Sequence, residues 1–210
     1  MDRFSRRTSV HFEKVFPPTK NSKFGVLNSH GDGSCFFHSV VAALTEHYDQ
    51  MTKADQKRAG HRFRHAFLDL MNEQLYTNAM HRIRLDLTQK GRENLLNGSE
   101  YSYNEFRERM LNFRTWADAT IISSVSLLLQ LNIVFFDSVG QKLYYGVDNF
   151  RRARKKGLPT ILVEWQGREH FNLIVRVTQL PNNKTRIDRQ FFFDRDNAFL
   201  ERLEKIYNSL

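Results

Sequence analysis

The segment GDGSCFFHS, residues 31–39, leads from a tight turn into a helix. Two glycines flanking an aspartate, with a histidine before them and a serine after, are typical of a turn. Apolar side chains then recur at helical spacings of three and four residues, at Phe37, Val40, Val41, Leu44 and Tyr48. Cys35 is therefore predicted to lie at or near the N-terminus of a buried helix.

This position suits a cysteine nucleophile. A thiol reacts as its thiolate, and both the positive end of a helix dipole and a nearby imidazolium lower a thiol pKa. A helix N-terminus also leaves backbone N–H groups unpaired. We predict that the N–H groups of Asp32, Gly33, Ser34 and Cys35 form an oxyanion hole for a tetrahedral intermediate. Cys35 is the only cysteine in the chain, which excludes an internal disulfide.

The base for such a cysteine has to come from another part of the chain, and His170 is the best candidate. It opens a predicted strand, Phe171 to Val177, directly after a turn. Asn172 projects to the same face of that strand, so it can orient the His170 ring as the third member of a triad does. Asp32 is an alternative carboxylate partner for His170, although helix capping and loop shaping are the roles we favour for it.

Helical patterns dominate the first part of the chain and strand patterns the second. Helices are predicted in residues 63–96, 101–112, 116–129 and 197–208, and strands in residues 132–137, 143–147, 160–165 and 171–177. This order predicts an α+β domain in which helices pack on a small central β-sheet. The domain spans residues 24–177, between a basic segment at 1–23 and a C-terminal loop and helix at 178–210.

Three segments resemble those of ovarian-tumour (OTU) cysteine proteases and stand in the family's order. GDGSCFF resembles the nucleophile box. WQGREHFNLI, residues 165–174, resembles the closing strand, in which Asn or Asp follows the catalytic histidine two positions later. Residues 115–137 resemble the Trp-led helix and strand between these boxes. The resemblance is specific at its two ends, and His38 stands where the family often has Arg or Asn.

The resemblance implies a papain-like fold and a deubiquitinase that cleaves isopeptide bonds between ubiquitin, or a ubiquitin-like modifier, and lysine. By similarity, Cys35 attacks the carbonyl to form a thioester acyl-enzyme, His170 transfers the proton and Asn172 orients His170. The partners implied are ubiquitin and polyubiquitin chains, with no metal or cofactor and with a monomeric protein. A compact basic OTU-like domain would also suit a virus or an intracellular bacterium and the cytosol of its host.

The composition leaves other functions open. A net charge of +9 and a pI of 9.8 are compatible with nucleic acid, an anionic membrane or an acidic protein partner. The basic start has no apolar stretch behind it and no apolar run is long enough to span a bilayer, so we expect a cytoplasmic protein without a secretory signal. The alternative functions are a basic nucleic-acid-binding module and a catalytically silent OTU-like protein that binds ubiquitin or another partner.

Three further features have ordinary structural interpretations. We expect RRARKK, residues 151–156, to be a solvated loop, with an acidic contact to ubiquitin, a phosphate contact or a nuclear import signal as alternatives. His61 and His65 have the i, i+4 spacing of a metal-binding helix face, but without a third ligand we expect a solvated surface. Trp116 is expected to pack in the core.

Overall fold

A computed structural model describes residues 16–89, 100–137, 143–145, 150–166, 170–181 and 184–208 of the chain. The helices are α1 (Cys35–Leu44), α2 (Lys53–Leu70), α3 (Glu73–Gln89), α4 (Tyr103–Leu111), α5 (Ala119–Leu128), α6 (Phe150–Lys156) and α7 (Phe193–Asn208), with a 3-10 turn at Tyr48–Gln50. The strands are β1 (Ser22–Leu27), β2 (Asn132–Asp137), β3 (Leu143–Tyr145), β4 (Thr160–Gln166), β5 (His170–Gln179) and β6 (Thr185–Asp188).

The strands form one mixed sheet in the order β1-β5-β4-β2-β3, with β6 paired to β5. Among the described strands, β2 and β4 are parallel and the other pairs are antiparallel. His170 is the first residue of β5 and pairs with Gln166, the last residue of β4. The functional candidate on β5 therefore lies at the rim of the sheet, where side chains can reach the surface.

Helices cover both faces of this sheet, which explains why the central strands are apolar in successive residues. In β4, Ile161 and Val163 face the larger core, which α1 to α5 complete, whereas Leu162 faces a second core. The second core includes Phe16 and Leu200, the latter from α7. The predicted α+β class, with a small sheet packed between helices, is confirmed.

The RRARKK segment is helical, so the prediction of a loop is wrong. Phe150 and Ala153, three residues apart, are both buried and anchor α6 to the second core. The cationic side chains project from the other side of this short helix. Arg154, one of them, donates to Glu204 of α7 at 2.6 Å.

The position of Trp116 also differs from the expectation. Its side chain is 43% exposed, because the buried positions at the start of α5 belong to Ala117 and Ile121. Asp118 caps that helix by accepting from the backbone N–H of Ile121 at 3.0 Å. A large ring just before the cap is therefore left at the surface.

The C-terminal segment contains more regular structure than its polar sequence indicates. β6 extends the sheet beside β5, and α7 begins at Phe193, four residues before the predicted start. Residues 1–15, 90–99 and 167–169 lie outside the described residues, as do 146–147 of the second predicted strand. Among the residues that the structure describes, no helix has both the length and the hydrophobicity needed to cross a bilayer.

Candidate active site

Cys35 is the first residue of α1 and its side chain is buried. The helix packs against the start of β5, where the Ser39 hydroxyl donates to the Phe171 carbonyl at 3.2 Å. The backbone N–H of Phe171 lies close enough to the Cys35 thiol to favour its ionised form. The structure therefore places the sulfur at a helix N-terminus, as the sequence predicts, and beside the residue that follows His170.

Burial raises the pKa of the Cys35 thiol above its ordinary value of 9.0. The cause is desolvation, which disfavours the charged thiolate. The nearby backbone N–H groups of Phe171, Phe36 and Cys35 itself offset part of this effect, and the charge of Asp32 adds to it. The prediction of a lowered thiol pKa is therefore wrong for the resting site, because burial outweighs the favourable end of the helix.

His170 is half-buried at the beginning of β5. Burial lowers the pKa of its imidazole below 6.5, and contacts with the Asn172 side chain, the Ser29 backbone and the charge of Asp32 oppose that shift. The Nε2 atom lies 3.2 Å from the Ser29 hydroxyl. Asn172 is buried two residues farther along β5. The fold thus places His170 and Asn172 on the strand that packs against the helix beginning with Cys35. Ser29 had no signal in the sequence.

Asp32 shapes the loop that carries the nucleophile. Its carboxylate accepts hydrogen bonds from the Ser34 backbone N–H at 3.1 Å, from His38 Nε2 at 3.1 Å and from His61 Nε2 at 2.9 Å. Burial acts to raise the pKa of Asp32, but the charge of His38 and these hydrogen bonds outweigh it and lower the pKa. Among the described residues, Asp32 makes no hydrogen bond to His170, so the alternative of a direct triad carboxylate is not supported.

Ser34 has to be removed from the predicted oxyanion hole. Its backbone N–H already donates to Asp32, so it is occupied in the resting structure. The N–H groups of Cys35 and Phe36, by contrast, lie close enough to the sulfur to lower its pKa. The candidate donors that remain from the prediction are the backbone N–H groups of Asp32, Gly33 and Cys35.

The prediction of a solvated helix surface is wrong for His61 and holds for His65. His61 bonds the carboxylate of Asp32, which lies 29 residues away in sequence, whereas His65 is exposed. His38 completes the cluster and is fully buried against Gly60, where an added Cβ would stand 2.0 Å from His38 Nδ1. Gly60 thus makes room for the histidine that holds Asp32.

Asp32, His38 and His61 also have the chemistry of a metal site. Their ligand atoms lie within 4.8 Å of one another, and two imidazoles with a carboxylate suit a divalent transition metal. In this structure the same atoms are hydrogen-bonded to each other. Those bonds account for the geometry, and through them the cluster anchors the nucleophile loop.

Arg64 is a supporting residue that the sequence analysis missed. The side chain is fully buried and donates to the carbonyls of Met110 at 2.7 Å, Asn112 at 2.9 Å and Thr115 at 3.1 Å. It also donates to the Ser34 hydroxyl at 3.2 Å. Burial lowers its pKa to about 10. Arg64 therefore ties the loop after α4 to the nucleophile loop.

No family model matches this sequence, and neither does any curated protein. Solved structures do match. An OTU domain in complex with ubiquitin is 16% identical with a TM-score of 0.48, over 87% of this chain and 82% of that one. The Hazara virus OTU bound to ubiquitin is 14% identical with a TM-score of 0.43, over 74% and 90% of the two chains.

A third structure, the viral OTU domain protease from Dera Ghazi Khan virus, is also 14% identical with a TM-score of 0.43. The match covers 74% of this chain and 86% of that protease. These three solved structures are OTU domains, from the family that the sequence motifs of this chain resemble.

Proposed function

We propose that this chain is a cysteine-type deubiquitinase that hydrolyses the isopeptide bond between ubiquitin, or a ubiquitin-like modifier, and a lysine. The observation that carries the proposal is the contact between α1 and the start of β5, where the Ser39 hydroxyl donates to the Phe171 carbonyl at 3.2 Å. It sets a buried sulfur at a helix N-terminus against the strand that begins with His170. The OTU-like motifs of the sequence supply the substrate class.

The pKa shifts define the resting state from which the reaction starts. Burial raises the pKa of Cys35 and lowers the pKa of His170, so both side chains are neutral at neutral pH. A neutral imidazole is able to act as a general base, and a neutral thiol needs one. Proton transfer from Cys35 to His170 therefore accompanies the attack of the sulfur on the carbonyl carbon.

The remaining steps of the hydrolysis use the same two residues, Cys35 and His170. The tetrahedral oxyanion is held by backbone N–H groups of the nucleophile loop. The imidazolium of His170 gives its proton to the departing lysine amine, and a thioester links Cys35 to the C-terminus of the modifier. Water then attacks the thioester while His170 takes a proton from it. The sulfur leaves and Cys35 regains a proton from His170. The modifier is released with a free carboxylate at its C-terminus.

A ubiquitin probe with an electrophile at its C-terminus tests the proposal. The full chain is expected to form a covalent adduct, and Cys35→Ala is expected to form none because no other residue of the chain offers a thiol. Parallel reactions with ubiquitin-like modifiers identify the preferred substrate. Binding of ubiquitin without an adduct or turnover by the unaltered chain would instead favour a silent binding protein, and salt-sensitive retention of DNA or RNA without any adduct would favour the nucleic-acid-binding alternative.

The pH dependence of hydrolysis follows from the direction of the two shifts. Protonation of His170 removes the base, and its pKa lies below the ordinary 6.5, so we expect the acidic midpoint of kcat/KM below pH 6.5. Ionisation of Cys35 removes the proton that His170 passes to the departing amine. We therefore expect kcat/KM to decline at alkaline pH, with a midpoint above pH 9.0. Rates measured with a fluorogenic ubiquitin amide from about pH 5 to about pH 10 check both limits. An acidic midpoint above 6.5 would contradict the neutral resting pair.

A further inference from the structure

Ser29 makes three hydrogen bonds that connect the loop after β1 to the start of β5. Its hydroxyl lies 3.2 Å from His170 Nε2 and donates to the Phe171 carbonyl at 2.5 Å. Its backbone N–H donates to Asn172 Oδ1 at 3.0 Å. One residue thus contacts three successive residues of the strand that carries the proposed base.

Counting protons fixes the direction of the bond to His170. A hydroxyl has one proton, and Ser29 has to give that proton to the Phe171 carbonyl because a carbonyl oxygen has none to give. Toward His170 the Ser29 oxygen is consequently an acceptor. Nε2 must therefore carry the imidazole proton, which leaves the lone pair on Nδ1.

The opposite edge of the ring faces the nucleophile loop. A Cβ built on Gly31 would lie 3.9 Å from Cε1 and 4.0 Å from Nδ1 of His170. Gly31 precedes Cys35 by four residues on that loop. The nitrogen that Ser29 leaves basic is thus on the side of the ring that faces the nucleophile loop.

Asn172 supports this arrangement. Its Oδ1 accepts from the Ser29 backbone, and its Nδ2 donates to Gln166 Oε1 at 3.3 Å, so both ends of the buried amide are engaged. Asn172 also contacts His170 closely enough to raise the pKa of the imidazole. The hydroxyl of Ser29 is nevertheless the hydrogen-bond partner that the geometry gives to Nε2.

We propose that Ser29 is a positioning residue that accepts the Nε2 proton of His170 and so holds the imidazole in the tautomer whose Nδ1 is the base. The inference rests on the proposed function and deepens it. Triad logic assigns the orienting role to Asn172 alone. In this structure two residues share it, because Asn172 holds Ser29 in place and both residues hold the His170 ring.

The first test measures the tautomer without any substrate. Long-range ¹H–¹⁵N spectra of the full chain with ¹⁵N-labelled histidine distinguish Nε2–H from Nδ1–H, and His170→Ala assigns the signal. We expect the Nε2–H form in the unaltered chain and in Ser29→Thr, and a mixture of tautomers in Ser29→Ala. Ser39→Ala is the matched control, because Ser39 donates to the same Phe171 carbonyl and has no hydrogen bond to His170 among the described residues.

The second test uses ubiquitin hydrolysis. Ser29→Ala is expected to lower kcat by about 10²-fold with little change in KM, and Ser29→Thr to restore most of it, because only the hydroxyl is required. An unchanged tautomer and rate in Ser29→Ala would overturn the inference while leaving the deubiquitinase proposal intact. A shifted tautomer in Ser29→Ala, in a chain that hydrolyses no modifier, would support the positioning role and contradict the proposed function.

Discussion

Replacing His170 with alanine is expected to lower kcat/KM for ubiquitin hydrolysis by about 10³-fold, within the range that a general base contributes. The reason is the pKa of Cys35, which burial holds above 9.0. Without a base, the thiol stays protonated at neutral pH and is a poor nucleophile. Hydrolysis of a fluorogenic ubiquitin amide by the variant and the unaltered chain measures the loss.

The pH profile of His170→Ala separates loss of a base from a general loss of structure. With no imidazole to take the proton, the residual rate should rise continuously as pH approaches the pKa of Cys35, whereas the unaltered chain should show a plateau. His81→Ala is a suitable control because His81 is an exposed histidine on α3. A loss smaller than tenfold with an unchanged pH profile would show that His170 is not the base.

Gly33→Ala is expected to cost about 2 to 5 kcal/mol of unfolding free energy, the sum of a left-handed backbone penalty and overpacking. Gly33 has a φ of +79°, and a Cβ there would lie 2.2 Å from the Phe113 carbonyl oxygen and 2.8 Å from Arg114 Cα. These neighbours are backbone atoms, which cannot rotate away as a side chain does. Chemical denaturation of both proteins measures the difference.

Gly157 provides the matched control for this substitution. It also has a positive φ, +62°, but nothing lies within 4 Å of the Cβ position. Gly157→Ala should therefore cost only the backbone penalty of about 1 to 2 kcal/mol. Equal losses of unfolding free energy for the two variants would mean that the backbone of residues 113–115 shifts to accommodate the added methyl group. The predicted larger loss at Gly33 should be accompanied by reduced hydrolysis, because Gly33 adjoins the nucleophile segment.

Periodic patterns of apolar residues were sufficient to predict a helix or strand where the contacts that decide it are local in sequence. The spacing of apolar residues after Gly33 correctly indicated the helix that begins at Cys35, and the run from Asn132 to Asp137 correctly indicated a buried strand. The same reasoning failed for residues 151–156, where the two buried positions, Phe150 and Ala153, are too few to produce a clear helical pattern beside five cationic residues.

The residues of the candidate site show the same difference between local and long-range features. Cys35, His170 and Asn172 were found from the sequence because a turn before a helix and an i, i+2 pair on a strand are local features. Ser29 was not found, since its hydrogen bond to His170 joins residues 141 positions apart.

What the chain order alone determined is most of the helices and strands and the chemical type of the candidate nucleophile, because each depends on residues within a turn or two of one another. The tertiary structure decided the partner of the imidazole, the anchoring of Asp32 by His38 and His61, and the direction of the Cys35 pKa shift. These depend on how closely distant segments pack and how completely they exclude water, and no local pattern of residues records either quantity.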